Sequence, residues 1–223
     1  MGFEPTTPTL ARLCSTPELH PHPQWAGRRE AGPPKSYAKV RHALQPPPTF
    51  AYLGAMLASP DELFAYLDTL GIAHKSVSHP PLFTVEQSRV LRGKIAGAHT
   101  KNLFLRDKKG ATFLVVALED AAIELKSLHR VLGASGRFSF GSAALMGELL
   151  GVEPGSVTPF AVVNDTGRRV AVVLDAAMMA HDVLNFHPLR NTSTTTISRQ
   201  GLLRFLEAAG HQPRIEPVSG PRL

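Results

Sequence analysis

HTKNLFLRDKKGATFLVVALED, residues 99–120, reads as a β-hairpin. One arm is NLFLRD, the turn is Asp107-Lys108-Lys109-Gly110, and the other arm is ATFLVVAL. The second arm is dense in β-branched and aromatic residues, which suit a pleated, half-buried surface. Gly110 can supply the positive φ that a short hairpin turn needs. Lys101 and Asn102 stand at the mouth of the first arm, where a hairpin needs neither. A Lys brings three donors and a point charge, and an Asn brings a donor and an acceptor. Together they suit a carbonyl, a hydroxyl and a phosphate. A solvated strand end would give the same local pattern.

Working outward, Ser59-Pro60-Asp61-Glu62 is a helix start, with Ser as N-cap, Pro in the first turn and acids facing the helix dipole. Leu63, Phe64, Leu67 and Leu70 follow at helical spacing, and Gly71 ends the run. AHKSVSH alternates as a short strand. A second helix is expected from Thr84, with Gln87 in capping-box position. Beyond the hairpin come a helix over AAIELKSLHRVLG, a short strand FSF and a helix over SAALMGELLG. The loop GVEPGSVTP then leads into a strand at FAVVND. Further strands are expected at RRVAVVLDAAM, VLNFHP and TTTIS, a last helix around Gly201 to Gly210, and a final extended PRIEPV. Strands and helices are interspersed without a regular βαβ repeat, which points to a single mixed α+β domain over residues 56–223.

The first 55 residues differ in character. They hold ten of the 19 prolines and the single Trp, without any sustained period. That composition is expected to stay disordered. A second reading concerns the gene. Gly2-Phe3-Glu4-Pro5 and Cys14 to Leu19 can be encoded by codons resembling the antisense strand of the T-arm and then the D-arm of a transfer RNA gene. On that reading translation starts at Met56.

The formal net charge is +6 over 223 residues. Residues 1–55 hold six Lys/Arg against three Asp/Glu, and residues 56–223 hold eighteen against fifteen. The globular part is thus mildly basic, which permits an RNA ligand without demanding one. Cys14 is the lone cysteine, so a disulfide framework, a zinc cluster of thiolates and a cysteine nucleophile elsewhere are excluded. The ten histidines show no metal-ligand spacing. There is no phosphate-binding Gly-Lys motif and no Ser-His-Asp order. No apolar run is long enough to span a membrane and no secretory signal is evident, so a soluble, cytoplasmic protein is expected.

Two further constellations stand out. Gly151-Val152-Glu153-Pro154-Gly155-Ser156-Val157-Thr158-Pro159 can expose successive backbone N–H groups able to clamp a carbonyl or an oxyanion. An ordinary helix-to-strand connection reads the same way. Asn185-Phe186-His187-Pro188, followed by the polar run Asn191 to Thr196, places His187 at a strand end beside a rigid Pro. His187 suits a hydrogen bond to substrate or water, although a lone His is more often structural. His79-Pro80-Pro81 reads as a turn that positions the second helix.

Singly these signals are weak. In order, HPPLFTVEQS, TKNLFLRDKKGATFLVVALED, GVEPGSVTPFAVVND and NFHPLRNTSTTTIS resemble the free-standing aminoacyl-tRNA editing domains (YbaK-like) related to the insertion domain of bacterial prolyl-tRNA synthetase. Within that family the chain looks like the branch that deacylates Ala-tRNA(Pro). The resemblance covers roughly residues 57–217. It implies hydrolysis of the ester between a mischarged amino acid and the terminal ribose. That is a double sieve acting in trans, needed because a pocket built for proline discriminates only modestly against the smaller alanine.

On this resemblance Lys101 matches the family's Lys at the terminal adenosine or ester, and Asn102 the polar position beside it. Gly155, Ser156, Val157, Thr158 and Pro159 match the Gly-x-x-x-Pro loop whose backbone engages the aminoacyl end. His187 lines the pocket. Arg89, Arg92 and Lys94, on the expected second helix, would meet acceptor-stem phosphates. An aminoacyl ester is already activated, so the resemblance implies no cofactor, no metal and no covalent nucleophile. A positioned water and backbone donors suffice. The implied partner is the acceptor end of tRNA(Pro), with prolyl-tRNA synthetase or an elongation factor as further members of a complex, and neither membrane nor DNA. Deacylation of Cys-tRNA(Pro) and a non-catalytic tRNA- or synthetase-binding module are the alternatives.

Overall fold

The computed structural model describes residues 56–81 and 95–220. The tail before Met56 and the helix expected from Thr84, with Arg89, Arg92 and Lys94, lie outside the described residues. Helix α1 (Pro60–Thr69) starts as the sequence requires. Ser59 accepts from the Glu62 N–H, and the Glu62 carboxylate accepts in return from Ser59 N–H, a capping box. The Glu62 carboxylate also accepts from Ala58 N–H, and that bond first, then those with Ser59, hold its carboxyl below its usual value. Leu63 and Leu67 on its inner face are fully buried. Ser59→Ala removes the cap and is expected to cost about 1 kcal/mol, read as a shift in the urea midpoint.

The remaining elements are β1 (His74–Ser78), β2 (Ala98–Arg106), β3 (Thr112–Leu118), α2 (Leu125–Leu132), β4 (Ser139–Phe140), α3 (Ala143–Leu150), β5 (Val170–Asp175), β6 (Val183–Phe186), β7 (Ser193–Ser198), α4 (Arg199–Ala208) and β8 (Arg214–Glu216). The strands form one mixed sheet in the order β1-β7-β6-β2-β3-β5-β8, with β4 also on β2. β2–β3 is the antiparallel hairpin, Lys101 lying opposite Ala117 and Asn102 opposite Val116. β2–β6, β3–β5 and β5–β8 are parallel. The domain is therefore α+β with a mixed sheet and surrounding helices.

Two expectations change. FAVVND is not a strand. Thr158 caps the Phe160 N–H and Pro159 presets the first turn, so residues Pro159–Asn164 wind into a 3-10 helix despite three β-branched or aromatic side chains. The helix expected over AAIELKSLHRVLG begins only at Leu125, behind a Glu124 cap. Residues 121–123 instead continue the chain away from β3.

Each face of the sheet meets its own apolar core. The larger core joins Phe104, Leu114, Val116, Leu184, Phe186 and Ile197 to α1, α3, α4 and the 3-10 helix. The smaller joins Leu105, Phe113, Val115 and Val173 to Leu128 and Leu132 of α2. Alternation along a strand sends successive side chains to opposite faces. β6 and β7 therefore give Leu184, Phe186 and Ile197 to the large core. They give Asn185, Thr194 and Thr196 to the other face, where a polar surface replaces the small core.

Candidate active site

β2 is nine residues long and begins at Ala98. Lys101 and Asn102 are thus inside the strand and not at its mouth, which corrects the expected boundary. As neighbours in an extended strand, they point to opposite faces. Lys101 shares its face with His99 and Leu105. Asn102 shares its face with Phe104, against the large core, and its Oδ1 is buried without a partner among the described residues.

The outer edge of β2 is divided. Ala98 and His99 pair with Leu184 and Asn185 of β6, whereas Leu105 and Arg106 pair with Phe140 and Ser139 of β4. Between them that edge has no strand partner among the described residues. Thr100 Oγ1 donates to the Asn185 carbonyl at 2.7 Å, closing the β6 side of the gap. Carried two residues further, the parallel register would set Lys101 beside His187, where β6 has ended. The Lys101 ammonium donates to the Ala121 carbonyl, just beyond β3. Close by is a half-open cavity of about 240 Å³, lined by residues that include His99, Leu118, Glu119, Asp120 and His181. His99 Nε2 is buried and has no partner among the described residues.

His187 follows β6 and faces the same side as Asn185. Its Nδ1 lies 3.1 Å from the Ser193 carbonyl and so carries the hydrogen. Nε2 is then left with its lone pair. Burial pushes the imidazole below its ordinary value. The Ser193 carbonyl pulls it back up, His79 and His99 push it down, and Glu119 pulls it up. His79 braces this turn. Its N–H donates to the Thr192 carbonyl and its Nε2 lies 2.9 Å from Thr194 Oγ1, while its ring sits 6.4 Å from that of His187. Asn185 is fully engaged, donating to Ala96 O and accepting from Thr196 Oγ1. That anchor holds the chain as it enters β2.

The Gly155 loop lies next to the same turn. Gly155 has φ +88°, and a Cβ there would stand 3.6 Å from Asn191 Nδ2. The positive φ favours glycine and lets the backbone reverse towards Ser156. Ser156 N–H is spent on the Glu153 carbonyl. The N–H groups of Val157 and Thr158 have no partner among the described residues. The side chains of Ser156 and Thr158 are buried, and Pro159 is buried behind them. The loop therefore presents backbone and not side chains.

Lys101 leaves β2 on the face opposite Asn102, and the Gly155 loop meets the turn after His187 through Asn191, while its neighbours Val152, Val157 and Phe160 pack on the large core. Arg89, Arg92 and Lys94 lie outside the described residues. His79 and His99 were not singled out as site residues. The i, i+2 spacing of His99 and Lys101 on a strand was the available signal for the second, and only the β1–β7 pairing, which brings Val77 opposite Thr194, could place the first. No group of three metal-ligating side chains is present among the described residues. Among them, no helix is long and apolar enough to cross a membrane.

The family described as the aminoacyl-tRNA editing domain matches residues 79–205. A zebrafish (Danio rerio) protein, "Prolyl-tRNA synthetase associated domain-containing protein 1", is 40% identical over 167 residues, covering 73% of this chain and 90% of that one. "Prolyl-tRNA editing protein ProX" of Acetoanaerobium sticklandii is 34% identical over 150 residues, covering 67% of this chain and 91% of that one. A solved structure described as a candidate trans-editing enzyme for prolyl tRNA synthetase superposes with TM-score 0.57 at 19% identity, covering 75% of this chain and 100% of that one. At that identity the likeness concerns the fold.

Proposed function

The chain belongs to the aminoacyl-tRNA editing domain family, and from that premise we propose that it hydrolyses the aminoacyl ester of mischarged Ala-tRNA(Pro), releasing alanine and free tRNA. The observation that carries this reading is the tautomer of His187. With Nδ1–H held by the Ser193 carbonyl, Nε2 is an acceptor beside the turn that Gly155 approaches through Asn191. A water held by Nε2 gives a proton to that nitrogen as it attacks the ester carbonyl, the Val157 and Thr158 N–H groups receive the developing oxyanion, and the terminal ribose oxygen leaves with the proton returned from Nε2. The neighbouring ribose hydroxyl is a second source of the proton that the leaving oxygen needs. Lys101 holds the terminal nucleotide or the ester through its ammonium.

The test is release of amino acid from Ala-tRNA(Pro), Cys-tRNA(Pro) and Pro-tRNA(Pro) by the full chain. Loss of alanine alone is the expected result. Preferential loss of cysteine would move the substrate to the other branch. Binding without hydrolysis of any of the three would make the chain a tRNA-binding module.

The pH profile gives a separate check. Catalysis uses neutral His187, and burial keeps its proton affinity below the ordinary histidine value of 6.5. kcat/KM is therefore expected to be flat above pH 6.5 and to fall only at lower pH, as the ring takes up its proton. His187→Gln should remove that acid limb along with most of the rate. An acid limb that survives the substitution would assign the titration to another group.

A further inference from the structure

The tip of the β2–β3 hairpin and the turn ahead of β4 meet at one end of the sheet. Asp107 ties them together. Its carboxylate accepts from the N–H groups of Lys109, Ala111 and Ser135, each at 2.9 Å. The Ser135 bond is foremost in holding that carboxyl below its usual value. Close packing continues the join, for a Cβ on Gly136 would stand 3.4 Å from Lys108 Cβ. Arg106 folds its guanidinium over Gly110, where an added Cβ would lie 3.0 Å from Nη2.

The outcome is a ridge on which Arg106, Lys108, Lys109 and Arg137 are all exposed. Asp107 is the sole carboxylate in residues 104–112 and 134–141, and it is turned inward, 8% exposed. One residue along β4 from Ser139, the partner of Arg106, stands Phe140, in register with Leu105 of β2 and 62% exposed, more than any other large apolar side chain among the described residues. The globular part is only mildly basic, so four cations around one inward acid are a concentration of charge. A solvated turn explains the lysines but not the ring.

Cations with an aromatic face are the chemistry that receives an RNA strand. Phosphates meet the flexible cations, and a base stacks on the ring. We propose that this ridge is a second RNA-binding surface, gripping the tRNA backbone through Arg106, Lys108, Lys109 and Arg137 and stacking a base on Phe140. Arg106 is five residues from Lys101 along β2, about 17 Å at strand rise. One tRNA can thus reach both, its aminoacyl end at Lys101 and its backbone a few nucleotides away at the ridge. The inference rests on the deacylase reading only for which RNA is bound.

The experiment measures binding of uncharged tRNA(Pro) transcript to the full chain by fluorescence anisotropy across a KCl series. The variants are K108E/K109E, R137E and F140A, each checked for an unchanged melting temperature. The double reversal should weaken binding about tenfold or more at low salt, and should flatten the slope of log K against log salt by about 2. F140A should weaken binding roughly fivefold or more without changing the slope. With Ala-tRNA(Pro), KM should rise while kcat holds, and hydrolysis of alanyl-adenosine should be unaffected. Unchanged affinity and slope in all three variants would overturn the inference and leave the ridge to an acidic protein surface. Ridge-dependent tRNA binding without hydrolysis of any charged tRNA would sink the deacylase reading and leave the inference standing.

Discussion

Lys101→Ala is expected to lower kcat/KM for Ala-tRNA(Pro) roughly 100- to 1,000-fold, the range seen when one donor to a developing charge is removed. Lys101 has three N–H donors and spends one on the Ala121 carbonyl, which leaves two for substrate. Lys101→Arg should recover little, because a planar guanidinium cannot reproduce a compact ammonium held against the Ala121 carbonyl. Asn102→Ala supplies the contrast. Its side chain leaves the other face of β2, so a loss below about tenfold is expected, acting through the strand and not through substrate. Equal losses at the two positions, with folding intact, would show that both side chains reach the reacting group. Steady-state deacylation with each variant, alongside its melting temperature, settles the comparison.

Phe160→Ala is expected to cost about 3–5 kcal/mol of stability, measured from the urea midpoint. Phe160 is fully buried and makes edge-on contacts with Phe186 at 5.7 Å and Phe205 at 5.2 Å. Such pairs add to the area effect. The position matters beyond stability. Phe160 directly follows Pro159 of the Gly155 loop, and Phe186 directly precedes His187. One aromatic contact therefore ties the end of that loop to the strand that leads into His187. The variant, assayed where it is still folded, should also lose kcat. Phe160→Leu should cost less in both respects. A midpoint shift under about 1 kcal/mol for the Ala variant would mean that this core does not pack as described.

The elements with strong local signals were readable from the chain itself. Ser59 and Glu62 cap α1, Gly133 and Gly151 close α2 and α3 in the left-handed conformation, and the hairpin follows its turn chemistry. Local signals failed where a cap outweighed composition. Thr158 and Pro159 turn a β-rich string into a 3-10 helix, because preset backbone geometry decides a six-residue piece more firmly than side-chain type. The start of β2 was missed because Ala98-His99-Thr100 has no apolar alternation. Its partner is β6, far along the chain, and pairing of that kind leaves little local trace. For the same reason the sequence brought Lys101 and Asn102 together as a pair when strand geometry separates them. The backbone character of the Gly155 loop was legible from its glycines and prolines. The His79 brace was not, since it exists only through the β1–β7 pairing.

The order of strands has a consequence for how the domain comes into being. β2 cannot be joined to β6 until the chain has been made past Phe186, and the Thr100–Asn185 bond alone bridges 85 residues. β1 waits longer, for its one partner among the described residues is β7, and the Ser76–Thr195 contact spans 119. Closing loops of that length is entropically slow, and folds dominated by distant pairings form in milliseconds to seconds, not microseconds. The hairpin and α1 can form early on a ribosome. The face carrying Lys101 and His187 exists only after β7 has emerged, so every nascent chain shorter than that carries the hairpin without the site.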